Sequence, residues 1–123
     1  MDYLKNEYAE MHIEEGILFF TYRNITEFNL EVAQHIVAER LKLQREKSYP
    51  ILCDITRFNM PDREARRYLA VEGSALTKAV AYLKNPSGSN HLTSFFIVVD
   101  QPVVPVALFT AYEEALTYLR KFV

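Results

Sequence analysis

A cluster of arginines surrounds the predicted start of a helix and is the most unusual chemical feature of the chain: Arg57, Arg63, Arg66 and Arg67. Cations at a helix N-terminus oppose the helix dipole, and such a breach of a local rule sometimes marks a functional surface. We therefore interpret these arginines, together with Asp62, as a candidate binding surface for an anion or an acidic protein partner. The alternative is a solvated face balanced by nearby acidic residues, namely Asp62, Glu64 and Glu72.

Two further sets of polar residues have spacings that suit chemistry. Glu31, His35 and Glu39 recur every four residues, which suits a metal only if further ligands exist, and we favour the interpretation of a polar solvent face with ordinary ion pairing. Asp54 ends a predicted strand, so it and Asp62 form a possible carboxylate pair at one rim of a sheet. The simpler interpretation is that Asp62 caps a helix and Asp54 orders a loop. We predict no metal site.

The sequence shows no catalytic machinery. The only cysteine, Cys53, follows the apolar residues Pro50-Ile51-Leu52 and has no adjacent cation that would activate a thiolate, so we expect a buried, inert thiol. The three glycines, at 16, 73 and 88, form no phosphate-binding loop. Because no nucleophile–base pair is recognisable either, we predict a protein that is not an enzyme and uses no cofactor.

The composition limits the class of protein. A chain of 123 residues, half of them apolar, suits a single domain over 1–123 whose core needs no disulfide or metal. A net charge of −2 provides no drive toward nucleic acid. The polar first residues do not resemble a signal peptide, and no run of about 20 apolar residues exists for a membrane span. We expect a cytoplasmic protein without nucleic-acid partners or membrane insertion.

The first half of the chain predicts a hairpin, a helix and a strand. Apolar and polar residues alternate over 8–14, and a second strand over 17–22 follows the turn residues Glu15-Gly16. Asn29 is expected to cap a helix that begins at Leu30 and ends before Tyr49-Pro50. Its apolar stripe consists of Leu30, Ala33, Ile36, Val37 and Leu41. A short strand over 51–55 follows.

The second half predicts alternating helices and strands. Pro61 and Asp62 favour a helix from about Pro61 to Val71, and a strand is expected over 79–83. Residues 92–99 fit either a strand or a helix, because their aromatic and β-branched residues favour a strand while their spacing fits one helical face. A strand over 106–109 precedes a Thr110-x-x-Glu113 capping box and a final helix. The stripe of that helix is Tyr112, Ala115, Leu116, Leu119 and Phe122.

The end of the chain resembles that of small bacterial SpoIIAA-like proteins of the STAS superfamily (sulfate transporter and anti-sigma-factor antagonist). In them a proline-led strand runs into Phe-Thr and then into a Glu-Glu-Ala-Leu helix. The matching residues here are Pro105, Phe109, Thr110, Glu113, Glu114, Ala115, Leu116 and Leu119. The hairpin and the order of the elements extend the resemblance over nearly the whole chain. Related stand-alone proteins are grouped with Sec14-like lipid-binding domains.

The resemblance implies an α/β fold with a mixed five-stranded sheet and four helices, in the order β-β-α-β-α-β-α-β-α. It also places a helix at 90–100. In anti-sigma-factor antagonists a partner kinase phosphorylates a serine within an Asp-Ser-Ser-Gly motif, and the added charge dissociates the complex. Asp62 matches the acidic residue of that motif, but Arg63 and Glu64 stand where its serines are expected. The kinase-controlled switch is therefore not expected here.

These observations favour a non-enzymatic STAS-type module that binds a protein partner through the third predicted strand, the loop at 56–62 and the helix after it. We also expect that exposed aromatic side chains support a homodimer. The alternative function is a small-ligand binder, for a lipid or an anion. A Sec14-like version needs an apolar cavity lined by residues such as Tyr82, Phe95, Phe96 and Tyr112.

Overall fold

Strands and helices alternate along most of the chain in the computed structural model, which describes residues 2–57, 60–86 and 103–123. The strands are Tyr3–Lys5 (β1), Ala9–Glu14 (β2), Ile17–Tyr22 (β3), Tyr49–Asp54 (β4), Thr77–Leu83 (β5) and Val106–Phe109 (β6). The helices are Leu30–Gln44 (α1), Arg63–Val71 (α2) and Tyr112–Arg120 (α3), with a 3₁₀ turn at Glu72–Ser74 after α2.

The described strands form one mixed sheet of six strands in the order β1-β2-β3-β4-β5-β6. Strands β1 to β3 are antiparallel, whereas β3 to β6 are parallel. All five predicted strands are present, but the predicted number is wrong, because β1 pairs with β2 and places Leu4 opposite Met11. A three-residue strand is too short to produce the alternation by which a strand is recognised in a sequence.

The β2–β3 hairpin is closed by the predicted two-residue turn. Glu15 and Gly16 have φ angles of 50° and 79°, and the positive values at both positions are those of a type I′ turn. Such a turn follows the natural twist of the strands it joins, and it sets the register in which Glu14 pairs with Ile17. A Cβ atom on Gly16 would lie 2.7 Å from Cγ1 of Val123, so glycine also leaves room for that side chain.

The two faces of the sheet are covered by different helices. Helices α1 and α2 pack on one face, where the core includes Met11, Leu18, Phe20, Ala33, Ile36, Ile51, Cys53 and Ala65. Helix α3 packs on the other face, over a smaller core made of Ile17, Leu52, Ala79, Ala81, Ala115, Leu116 and Leu119. Successive residues of a strand point to opposite faces, so β4 contributes Leu52 to one core and Cys53 to the other.

Helix α1 begins where the sequence predicts. The Asn29 side chain accepts a hydrogen bond from the Val32 amide at 3.0 Å, which confirms it as the N-cap. The predicted apolar stripe is only partly right, since Leu30 and Leu41 are half-buried. Near its C-terminal end the helix instead buries two polar side chains, Arg40 and Gln44, that the stripe does not include.

The last helix begins one residue later than a capping box requires. Its N-cap is Ala111, and no side chain makes a capping bond there, so the predicted Thr110–Glu113 box is wrong. Glu113 and Glu114 lie in the first turn, where carboxylates interact favourably with the helix dipole. The strands predicted over 79–83 and 106–109 are confirmed, whereas the helix predicted at 90–100 lies outside the described residues.

Candidate functional site

The loop after β4 and the first turn of α2 bring several predicted site residues to the end of the sheet at which β4 finishes. Asp62 caps α2 by accepting from the Ala65 amide at 2.9 Å, and its own amide donates to the carbonyl of Phe28. Asp54 accepts from the Thr56 amide at 2.9 Å and so orders the start of the loop. Both carboxylates therefore have the local structural roles that the simpler interpretation predicted for them.

Three of the four predicted arginines are exposed to solvent. Arg63 and Arg67 are exposed and lie one helical turn apart on α2, and Arg57 is exposed in the preceding loop. Within the described part of the chain, none of the three has a carboxylate oxygen within 4.0 Å. The acidic neighbours therefore do not form direct ion pairs with them. We call Arg57, Arg63 and Arg67 the arginine surface.

The fourth arginine has a different position. Arg66 is half-buried and donates from Nη1 to the carbonyl of Pro61 at 3.4 Å. Its side chain lines a partly open cavity between the helices and the sheet, so its environment differs from that of the arginine surface. Met60, in the loop before α2, is 40% exposed and lines the same cavity.

The cavity lies between α1, α2 and the sheet and has a volume of about 80 Å³. Most of its described lining is apolar, including Phe20, Ile51 and Val80. The polar side chains in its wall are Tyr22, Arg40, Cys53, Arg66 and Tyr82. Among these described lining residues there is no aspartate or glutamate, so both charged side chains of the wall are cationic.

Arg40 is the residue that sequence reasoning missed. It is only 4% exposed, and its guanidinium donates from Nη2 to the Gly73 carbonyl at 2.8 Å and from Nη1 to the Ala75 carbonyl at 3.3 Å. Nη1 also donates to Oε1 of Gln44 and to the Thr77 hydroxyl. The helical period offered a signal, since Arg40 follows Ile36 and Val37 by four and three residues on the buried face.

Burial changes the titration of several groups in the cavity wall. It lowers the pKa of the Arg40 guanidinium and raises the pKa of the Cys53 thiol, since desolvation disfavours each charged form. For the same reason the pKa values of Tyr22 and Tyr82 lie well above their ordinary value. The predicted burial of Cys53 is confirmed, and its thiol stays protonated near neutral pH.

The polar residues of α1 interact with one another on the surface of the helix. Nε2 of His35 lies 3.8 Å from Glu39, and Lys42 lies 3.8 Å from the same carboxylate, so the predicted ion pairing is present. Over residues 2–57, 60–86 and 103–123, no group of three or more potential metal ligands is found. His35 also borders an open groove of about 670 Å³, whose acidic residues are Glu7, Glu27 and Glu31. We call this feature the acidic groove.

Two of the four residues named for the alternative, a Sec14-like lipid cavity, lie apart from each other. Tyr82 points to the face covered by α1 and α2, whereas Tyr112 belongs to α3 on the opposite face and stacks near Phe19, with ring centroids 6.5 Å apart. Side chains on opposite faces of a sheet cannot line one cavity. Phe95 and Phe96 lie outside the described residues.

The fold defines the chain as a SpoIIAA-like α/β protein. The structure matches that of an uncharacterised protein from the DUF3478 family with a SpoIIAA-like fold, from Shewanella loihica PV-4. The TM-score is 0.62 at 14% sequence identity, and the match covers 94% of this chain and 98% of that chain. At this identity the match shows a shared fold alone, and it confirms the fold family expected from the sequence.

The family assignment comes from the sequence match over residues 11–123. This region matches the model of DUF7793, a domain of unknown function, and the chain belongs to that family. No match was found among curated proteins. The helices that the structure describes include none with the length and apolar character needed to cross a bilayer.

Proposed function

We propose that the chain is a non-enzymatic binding module that recognises an acidic protein surface through the arginine surface. The observation that carries this proposal is the exposure of Arg57, Arg63 and Arg67 without a carboxylate partner in the described residues. Arginine is enriched in protein interfaces, because its planar guanidinium binds carboxylates through paired hydrogen bonds. Exposed cations that no internal acid satisfies remain available for such bonds.

The surroundings of the arginine surface support a protein partner over a small anion. Arg63 and Arg67 project from a helix whose opposite side packs on the core through buried Ala65 and half-buried Leu69, which anchors the backbone that carries them. Met60 adds an exposed apolar side chain of a kind that is also enriched at interfaces. A helix that presents two cations, preceded in the chain by an exposed apolar side chain, suits a protein partner that presents both carboxylates and an apolar residue.

The proposed binding differs from a phosphorylation switch. Arg63 and Glu64 occupy the first turn of α2, where the antagonist motif carries serines, so this turn has no hydroxyl to phosphorylate. We propose that the charge of the surface is permanent, and that binding is controlled by the partner or by ionic strength. Screening by salt weakens exposed charge pairs, so the affinity should decrease as salt is added.

A glutamate-rich synthetic peptide provides a defined probe. We expect it to shift the NMR signals of ¹⁵N-labelled protein over residues 60–71 and to bind at least about tenfold more weakly to the Arg63→Glu/Arg67→Glu variant. Lys47→Glu/Lys78→Glu is the matched control. It changes the net charge by the same amount, but at the opposite end of the sheet, where β4 and β5 begin. Equal weakening in both variants, or no binding by the unmodified protein, would contradict the proposal.

A second copy of the chain is one possible acidic partner. The acidic groove and the arginine surface lie at the same edge of the sheet, because Phe28 and Asp62 are joined by a hydrogen bond. Sedimentation of the unmodified protein and the Arg63→Glu/Arg67→Glu variant tests this arrangement. A dimer that the variant loses would identify the partner as a second copy, whereas a monomer in both would leave a different protein as the partner. The aromatic residues give less support to a dimer, since only Tyr3 and Tyr112 are exposed among those described.

A further inference from the structure

The cavity wall contains a buried cation that has no negative partner among the described residues. Arg40 is 96% buried, and all of its hydrogen-bond acceptors are neutral: two backbone carbonyls, an amide oxygen and a hydroxyl. Among the residues the structure describes, no carboxylate oxygen lies within 4.0 Å of its guanidinium. Buried charges in proteins are usually paired, because desolvation is costly and neutral acceptors offset only part of that cost.

The neighbouring titratable groups do not supply the missing charge. Tyr22 and Cys53 are the titratable groups that interact electrostatically with the guanidinium. Burial keeps both in their neutral, protonated forms near pH 7. Arginine does not lose its proton under these conditions. The site therefore keeps its positive charge in an apolar environment, where electrostatic attraction is stronger than in water.

The guanidinium also has N–H groups that make no hydrogen bond to the described residues. Arg40 has five N–H groups, and its hydrogen bonds to the described residues involve only the two terminal nitrogens, with Nη2 making a single bond to Gly73. Within the described part of the chain, the Nε–H has no acceptor. The Nε–H and a terminal N–H form the edge that binds a carboxylate through two parallel hydrogen bonds.

The cavity limits what this edge is able to bind. Its volume of about 80 Å³ exceeds the roughly 10–15 Å³ that one water needs, yet it is far below the roughly 300 Å³ of a typical drug-sized or lipid pocket. The mainly apolar lining disfavours a strongly hydrated divalent anion. Arg66 adds a second cationic side chain to the wall. A small monovalent anion with an apolar end fits the volume, the lining and the charge.

We propose that the cavity is a binding site for a short-chain carboxylate, whose two oxygens pair with the guanidinium of Arg40 and whose alkyl end contacts the apolar wall. The site is separate from the arginine surface and does not rest on it. Because the carboxylate neutralises Arg40 only in the folded state, its binding stabilises the fold by mass action.

The test replaces sodium chloride with sodium propionate at constant ionic strength. We expect a rise in Tm and a saturable NMR shift at the amides of Gly73 and Ala75, with half-saturation on the order of millimolar. In a series of carboxylates, formate, acetate and propionate should bind, whereas benzoate, which is too bulky, should not. Inorganic phosphate should bind at least about tenfold more weakly than propionate.

Two variants distinguish carboxylate binding at the cavity from the structural role of Arg40. Arg40→Lys keeps the charge but loses the planar pair of donors, so propionate should bind at least about tenfold more weakly, while the exposed Arg45→Met should bind as the unmodified protein does. If Arg40→Lys does not fold, the size series decides. Equal effects of chloride and propionate, equal binding of propionate and benzoate, or unchanged binding by folded Arg40→Lys would each overturn the proposal. Retention of propionate binding by Arg63→Glu/Arg67→Glu distinguishes this site from the arginine surface.

Discussion

The side-chain amide of Gln44 donates to the carbonyl of Leu76 at 2.8 Å, and this bond holds the loop before β5 against the end of α1. Leu76 has a φ of 54°, in the left-handed region that costs a leucine roughly 1 kcal/mol. The same carbonyl accepts from the Tyr49 amide at 3.2 Å, while Gln44 also donates to the Lys47 carbonyl at 2.9 Å. The single buried side-chain amide of Gln44 thus orders both the connection from α1 to β4 and the loop that leads into β5.

Replacing Gln44 with leucine tests this role. Gln44→Leu should lower the free energy of unfolding by about 1–3 kcal/mol, because the carbonyls of Lys47 and Leu76 lose a buried donor. The same change at Gln34, exposed on the same helix, should alter stability by less than about 0.5 kcal/mol. Urea unfolding of both variants measures the difference, and similar values for the two would show that the Gln44 bonds contribute little.

The hairpin turn offers a stabilising substitution. Glu15 adopts a φ of 50°, which asparagine tolerates better than glutamate, and Asn-Gly is the preferred pair for a type I′ turn. We therefore expect Glu15→Asn to raise the free energy of unfolding by roughly 0.5–1 kcal/mol, measured by urea unfolding. A decrease would contradict the assignment of the turn.

Gly16 tests the same turn in the opposite direction. Gly16→Ala should destabilise the protein by about 1 kcal/mol or more, because alanine is strained at a φ of 79° and its Cβ would meet Val123. Adding Val123→Ala removes the steric part alone. Thermal unfolding should show partial recovery in the double variant, and full recovery would mean that backbone strain is negligible.

The cap of α2 can be separated from binding at the arginine surface. Asp62→Ala removes the acceptor for the Ala65 amide and should cost about 1 kcal/mol of stability, whereas Asp62→Asn retains a capping oxygen and should cost less. Chemical unfolding gives these values. Binding of the glutamate-rich peptide should not weaken in either variant, since each removes a negative charge next to the arginines. Weaker binding by folded Asp62→Asn would instead place Asp62 in direct contact with the partner.

The sequence predicted those elements whose signal is local. The alternation in β2, the Asn29 cap and the turn residues Glu15-Gly16 each impose their structure within a few residues, and all three are present. Strand β1 escaped prediction because its three residues form a strand only through pairing with β2. Long-range pairing leaves little trace in such a short segment.

The candidate site likewise combines residues with a local sequence signal and residues that only long-range packing positions. The exposed arginines and the Asp62 cap could be anticipated, because helix-start chemistry is local. The period of α1 indicated only the face on which Arg40 lies, and its bonds could not be anticipated, since the acceptors Gly73, Ala75 and Thr77 are more than thirty residues away in the chain. An arginine in an amphipathic helix is normally read as solvent-exposed, and only tertiary packing reverses that interpretation.

The buried thiol of Cys53 predicts how stability depends on pH. In the folded protein burial raises the pKa of this thiol above its ordinary value of 9.0, so the folded chain retains the proton that the unfolded chain releases. The unfolded state then binds fewer protons, and stability decreases as the pH rises above about 9, by up to about 1.4 kcal/mol per pH unit. Buried Tyr22 and Tyr82 should add a similar loss above about pH 10.

Urea unfolding of the unmodified protein and of Cys53→Ala between pH 7 and 10 isolates the contribution of the thiol. The variant should be less stable at pH 7, and its deficit should shrink as the pH passes 9, since it carries no thiol to titrate. A deficit that stays constant to pH 10 would show that the thiol also ionises in the folded protein.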